Sequence, residues 1–329
     1  MHPFHYTAAQ DDTTAISAVA AEEGAVYVAG GTSLIDLMKL DVQTPRHLID
    51  INALPLSGVE VQADRVRIGA LARNSDVAYD TGIRDRYPLL SEALLAGASP
   101  QLRNMATIGG NLLQRTRCYY FRDVAAPCNK REPGTGCSAI NGYNRIHAVL
   151  GGSEHCIAVH PSDMAVALVA LDALVQTRGP KGGRSIPITE FYLLPNDHPE
   201  RETVLDQGEL IFAVDLPSSA SSFAARSHYL KVRDRASFDF ALVSVAAALA
   251  LEDGYIREAR IALGGVGTVP WRAYKAEQAL LGQLPNQATY QMAAGAAVEG
   301  AVPRQENGFK VELAQRSLVH ALEMIGGRV

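Results

Sequence analysis

The segment from Arg103 to Asp163 constrains this chain more than any other, because it holds every cysteine present. Cys118, Cys128, Cys137 and Cys156 follow one another with nine, eight and eighteen residues between them. Pro127, Pro133, Gly134, Gly136, Gly142, Gly151 and Gly152 punctuate the run, so no long helix or strand fits. An irregular stretch of this length is uncommon in a compact protein and is usually functional or held by something. Four thiols gathered in it point to a metal centre as the thing that holds it.

Three explanations compete for the thiols. Disulfides fit poorly, since 4 cysteines in 329 residues do not make a disulfide-dense scaffold. The opening MHPFHYTAAQDDTTA also has neither the basic flank nor the apolar core of a secretory signal. A structural zinc site would bring paired knuckles with about two to four residues between ligands, and all three spacings are longer. An iron–sulfur cluster needs four thiolates converging from a wrapping loop, and tolerates wide spacing. Arg115, Arg117, Arg122, Lys130, Arg131 and Arg145 stand in this loop against Asp123, Glu132 and Glu154. That cationic excess would offset the negative charge of a thiolate-ligated cluster. The cluster reading accounts for the observations best; four unrelated buried thiols would not explain why none lies elsewhere.

A chain of 329 residues should form two or three domains, each with its own core. The 47% hydrophobic and 20% charged content is that of an ordinary soluble globular protein. A net charge of −5 speaks against a nucleic-acid or anionic-membrane surface. The longest apolar run, Ala241 to Leu251, is too short to span a bilayer. The expectation is a soluble protein, with no membrane insertion, that would leave the cytoplasm only alongside a partner.

The chain opens with an amphipathic helix over residues 13–23, with Thr13 or Thr14 as its N-cap. A short strand, Ala25 to Ala29, runs into Gly30-Gly31-Thr32-Ser33, and residues 34–40 have helical spacing. Strand, glycine pair and helix start make an anion seat, where backbone N–H groups approach closely and the helix dipole favours negative charge. The pattern is neither a P-loop nor a dinucleotide GxGxxG fingerprint. Strands are expected at 47–52 and 66–70 and a helix at 85–96. Thr107-Ile108-Gly109-Gly110-Asn111 supplies a second glycine turn, so two turns could clamp one pyrophosphate.

After the cysteines, Asp163 is placed to cap the helix that follows, or to offer its carboxylate to a ligand hydroxyl. A strand runs from Leu210 to Leu216 and closes at Pro217, and SSASS at 218–222 reads as a linker. Beyond it come a strand at 227–232, an antiparallel pair at 241–251 and 255–263, and helices. In the last helix Val311, Ala314, Leu318, Leu322 and Ile325 share one face.

These segments together resemble the FAD-binding subunit of the molybdenum hydroxylases, the family of xanthine dehydrogenase and carbon monoxide dehydrogenase. AGGTSLIDLMKL at 29–40, ATIGGNL at 106–112, HPSDMAVAL at 160–168, YLKVRDRASFDFALVSVAAAL at 229–249 and ALGGVGTVPWRA at 262–273 carry the likeness in order. The cysteine insertion is similar to that in flavin subunits of bacterial periplasmic aldehyde oxidoreductase and of 4-hydroxybenzoyl-CoA reductase. The wording NLLQRTRC, PCNKR and GC looks closest to the aldehyde oxidoreductase.

The resemblance implies an α+β fold: a two-lobed FAD-binding domain of the vanillyl-alcohol-oxidase type at 1–217, with lobes 1–53 and 54–217. A 4Fe-4S loop would be inserted at about 115–160, and a small C-terminal α+β domain would follow at 223–329. It implies that FAD is held by Tyr27, Val28, Ala29, Gly30, Gly31, Thr32, Ser33 and Leu34, and by Thr107, Gly109, Gly110 and Asn111. Asp163 would meet the sugar-alcohol chain, and Ile211 and Lys231 the isoalloxazine ring. Cys118, Cys128, Cys137 and Cys156 would ligate the 4Fe-4S cluster.

The implied function is electron transfer within an aldehyde-oxidising heterotrimer, with a large molybdopterin subunit, a small 2Fe-2S subunit and an external small-molecule or protein acceptor. No residue of this chain is given a catalytic role. Reversed electron flow, as in a 4-hydroxybenzoyl-CoA reductase, and a flavin-free scaffold are the rival readings. The expected compartment is the periplasm, by co-export with a signal-bearing partner, with the cytoplasm as the alternative.

Overall fold

Short β-branched runs near the N-terminus build a small parallel sheet. His47–Asp50 lies in its centre, flanked by His5–Ala8 and Ala25–Val28. Parallel neighbours need crossover connections, and helices Asp12–Ala21 and Leu34–Lys39 lie in those connections. The first helix starts one residue earlier than expected. Asp11 is its cap, accepting the Thr14 N–H at 2.7 Å, so Thr13 and Thr14 fall inside the helix. The computed structural model describes residues 1–327.

The second lobe is an antiparallel sheet in the order Val59–Val61, Arg65–Gly69, Leu210–Pro217, Leu174–Gly179, Gly182–Pro187. Its central strand, Leu210–Pro217, is buried almost throughout. Helices Pro88–Ala96 and Asp163–Ala170 pack together in the same core, and all eight residues of the latter are buried. At about 1.5–3 kcal/mol per large apolar side chain, this core is the main stabiliser of the lobe. The single helix expected at 85–96 is two, Thr81–Arg86 and Pro88–Ala96. Pro88 has no N–H to donate and pushes Tyr87 out of helical geometry, to φ −136° and ψ 56°.

The SSASS segment is not a loose tether. Ser218–Arg226 winds as a 3₁₀ helix in which the Ser221 and Ser222 hydroxyls donate to the carbonyls three residues back. Ala220 and Phe223 are buried beneath it.

Beyond it an antiparallel sheet runs Trp271–Arg272, Tyr255–Gly264, Val243–Glu252, Ser227–Val232. Asp253 and Gly254 turn its central hairpin with φ of 52° and 83°, the left-handed pair a tight two-residue hairpin demands. Helix Phe309–Gly326 covers this sheet through Ala314, Leu318, Leu322 and Ile325, with Val311 at the margin. Among the described residues no helix is long and apolar enough to cross a membrane.

Candidate functional site: a glycine pocket joined to a cysteine cavity

The first glycine turn follows strand Ala25–Val28. Gly31 takes φ +71°, a left-handed conformation that costs a side chain dearly. A Cβ on Gly30 would stand 2.0 Å from the Met105 carbonyl oxygen, so only glycine lets residues 30 and 105 meet. The second glycine pair is not a bare turn. It lies in the first turn of helix Ile108–Leu112, capped by the Thr107 hydroxyl, which accepts the Gly110 N–H at 3.2 Å. The Gly109 N–H is already bonded to the Ala70 carbonyl at 2.8 Å. Gly109 therefore serves close packing against the sheet rather than donating to a ligand.

These turns face each other across a pocket of about 370 Å³. Tyr27, Val28, Ala29, Gly30, Gly31, Thr32, Ser33 and Leu34 line one side, and Thr107, Gly109 and Gly110 another. Ile211 also lines it. The remaining wall, Leu205 to Leu210, escaped the sequence reading. Its signal was Gly208, with φ +77° and a Cβ position 2.7 Å from Ala20 Cβ. The Tyr27 hydroxyl donates to the Gly208 carbonyl at 2.8 Å and fixes that wall, while burial raises the Tyr27 phenol.

Three of the expected site residues stand outside this pocket. The Asn111 side chain is engaged, its Oδ1 accepting from Ser162 Oγ at 2.7 Å and Gln114 Nε2 at 2.5 Å. Asp163 is not the helix cap; Ser162 is, accepting the Ala165 N–H, and Asp163 is the first helical residue. Its carboxylate accepts from the Tyr229 hydroxyl at 2.8 Å and from Lys231 Nζ at 2.7 Å. Burial first, and the neighbouring Asp163 charge second, push the Tyr229 phenol well above its usual range. Asp163 lines a separate cavity of about 260 Å³, and Lys231 stands behind it.

A third cavity, about 480 Å³, borders both. It shares Leu113, Arg115 and Gln207 with the glycine pocket, and Thr116, Val159 and His160 with the Asp163 cavity. Burial pulls His160 down to about 4 and its Nε2 has no partner, so it enters this junction as a neutral ring. Glu202 joins Arg115 at 2.5 Å to Lys130 at 3.1 Å. Burial alone would raise its carboxyl, but the two cations outweigh it and hold Glu202 below the usual range.

The four cysteines are free thiols, and all line one narrow cavity. Cys128 and Cys137 face each other across an antiparallel bridge. Asn129 clasps the intervening turn, accepting the Gly136 N–H at 2.7 Å and donating to the His155 carbonyl at 3.2 Å. Arg131 donates to the Tyr120 and Phe121 carbonyls, at 2.8 and 2.9 Å. Phe121 and Leu37 pack with the thiols, and Asp36 pairs with Arg117 at 3.1 Å and Arg122 at 2.7 Å. The loop is thereby docked on the helix that leaves the first glycine turn.

Burial pushes the Cys118 thiol up to about 12 and Cys156 up to about 11. Neither ionises at neutral pH by itself, and a bound cation would supply the charge that deprotonates them. Among the described residues no three His, Cys, Asp or Glu side chains stand close enough to hold one metal ion. A polynuclear cluster spreads its ligands more widely than a single ion does. The four cysteines, which share the wall with Asn129, Lys130, Ser138 and His155, are the donor type such a cluster takes. Lys130 and Cys156 border both this cavity and the one of about 480 Å³.

Comparison with known proteins agrees with the glycine pocket. Residues 2–219 match the FAD binding domain in molybdopterin dehydrogenase, and residues 228–325 match the CO dehydrogenase flavoprotein C-terminal domain. The aldehyde oxidoreductase FAD-binding subunit PaoB of Escherichia coli (strain K12) is 52% identical over 96% of this chain and 97% of its own length. The glyceraldehyde dehydrogenase medium chain of Sulfolobus acidocaldarius is 29% identical over 87% of this chain and 84% of its own. A solved carbon monoxide dehydrogenase chain from Hydrogenophaga pseudoflava superposes with a TM-score of 0.77 at 27% identity, covering 98% of this chain and 97% of that one. The α+β architecture, with its FAD-binding domain and smaller C-terminal domain, is that of these medium chains. The chain therefore belongs to the FAD-binding medium subunits of the molybdenum hydroxylases, and is an oxidoreductase subunit.

Proposed function

We propose that this chain is the electron-transfer flavoprotein subunit of an aldehyde-oxidising molybdenum enzyme, and that Cys118, Cys128, Cys137 and Cys156 hold a 4Fe-4S cluster. The observation that carries the reading is the shared wall: Cys156 and Lys130 border the thiol cavity and also the cavity that shares lining residues with the glycine pocket. Identity of 52% to a subunit named for aldehyde oxidation supports the substrate class.

Bound FAD supplies the ability to take up electrons singly and release them as a pair. The chain's own part is to bind and orient. The Gly30–Gly31 turn would hold the pyrophosphate with its backbone, and Tyr27 fixes the facing wall through Gly208. Asp163, held by Lys231 and Tyr229 in the neighbouring cavity, would meet the ribityl chain there. The reading includes a large molybdopterin subunit and a small 2Fe-2S subunit as electron donors, an external acceptor, and passage to the periplasm with a signal-bearing partner.

The test is composition. The full chain, purified anaerobically, should carry about four irons and four acid-labile sulfides per flavin. Cys128→Ser should lose iron and keep flavin. A colourless, iron-free protein would overturn the cluster. Co-purifying polypeptides and their molybdenum content test the partners, and recovery of the chain from a periplasmic or a cytoplasmic fraction tests the compartment.

A further inference from the structure

We infer that His147 sets the redox potential of the cysteine-held centre by donating a hydrogen bond from Nε2 to the sulfur of Cys118. This rests on the cluster reading above. His147 is 1% exposed, and its Nε2 lies 3.1 Å from Cys118 Sγ. Among the described residues the Cys118 sulfur is the one side-chain atom to which this ring is hydrogen-bonded. A ligating thiolate has no proton to offer, so the proton in that contact belongs to the imidazole. Among the described residues, no other side-chain nitrogen is bonded to a cysteine sulfur.

The ring is held from behind by residues about 160 positions away in sequence. Lys310 Nζ donates to the carbonyls of Ile146 at 2.8 Å, His147 at 3.1 Å and Gly265 at 2.7 Å. Asn307 Nδ2 donates to the His147 carbonyl at 3.3 Å and to that of Ala148 at 3.2 Å. These bonds fix where the His147 backbone stands, and the ring's burial, at 1% exposed, leaves it little room to change rotamer. A hydrogen bond to a ligating sulfur withdraws electron density and favours the reduced, more negative state of an iron–sulfur centre. A one-electron reductant, in the titration dithionite, would supply the electron, and the proton would stay on Nε2 in both oxidation states.

The experiment is an EPR-monitored redox titration of the full chain as purified, comparing wild type with His147→Leu and His147→Gln. In His147→Leu, with iron per flavin unchanged, the midpoint should fall by about 59 mV, one decade in the equilibrium of a one-electron couple. The flavin potential should not move, and His147→Gln, which can still donate, should recover part of the shift. A loaded His147→Leu protein with the wild-type midpoint would overturn the inference. Should that variant fail to fold, wild-type protein grown on isotope-labelled histidine decides by pulsed EPR: a histidine nitrogen coupled to the reduced centre supports the contact, and no coupling overturns it. Iron-free wild-type protein would instead sink the cluster reading itself.

Discussion

Lys231 Nζ lies 2.7 Å from Asp163 Oδ2, with the two side chains only 4% and 9% exposed. The pair crosses from the C-terminal sheet to the most buried helix of the second lobe, and Lys231 also donates to the Ala96 carbonyl at 3.1 Å. Removing one partner leaves an uncompensated charge indoors, which costs about 3–5 kcal/mol, whereas replacing both with apolar groups is often near neutral. Lys231→Met should therefore destabilise strongly in denaturant unfolding, and Asp163→Leu added to it should recover much of the loss. A double variant as unstable as the single one would show that the pair is not what joins these elements.

Two glycines should respond oppositely to alanine. Gly30→Ala drives a Cβ into the Met105 carbonyl, 2.0 Å away, so the pocket must distort and flavin content should drop severalfold. Gly295 lies exposed in helix Gln287–Ala297 with nothing within 4 Å of its Cβ position. Gly295→Ala should stabilise by up to about 1 kcal/mol and leave flavin content alone. Equal flavin loss in both would contradict the steric account.

Glu209 gives a pH dependence. Burial would raise its carboxyl, but Arg184, Thr177 and the Asp206 N–H outweigh that and bring it to about 2. A depressed carboxyl contributes stability that is present above its ordinary value near 4.5 and lost as pH falls toward 2. Because Arg184 is nearly half exposed, solvent screening limits the effect to on the order of 1–2 kcal/mol. Glu209→Gln should flatten the acid limb of the stability curve in that window. An unchanged limb would refute the assignment.

Lys310 works at the other end of the scale. Burial, then the charge of Arg145, brings its amine down to about 7 from 10.5. Across that interval the unfolded chain holds a proton the folded chain gives up, so stability should climb with pH from about 7 to 10.5. Lys310→Met removes the climb and leaves three carbonyls without their donor, costing about 2–4 kcal/mol. A variant that keeps the alkaline rise would show that another group is responsible.

The sequence was most legible where backbone geometry admits one residue type. Gly30 and Gly31 announced the pocket, and strand Ser227–Val232 spans the residues expected for it. Where side chains from distant segments decide, it was silent. Leu205 to Leu210 face the glycine turns only because Leu210–Pro217 pairs beside Arg65–Gly69. Lys310 interrupts an apolar helix face, which from sequence alone reads as an exposed margin rather than a fully buried cation. The SSASS run looked like a tether because serine-rich composition carries no signal for hydroxyls that bond their own turn.

Lys310 and Asn307, which close the outer side of the cysteine loop, lie within the final twenty-five residues. During synthesis the last cysteine, Cys156, emerges from the ribosome long before that buttress exists. All four thiol positions are therefore made well before the residues that buttress this loop from the C-terminal domain. Docking of helix Phe309–Gly326 against the loop can come only after that point, so the outer side of the cysteine segment is the last part of it to close.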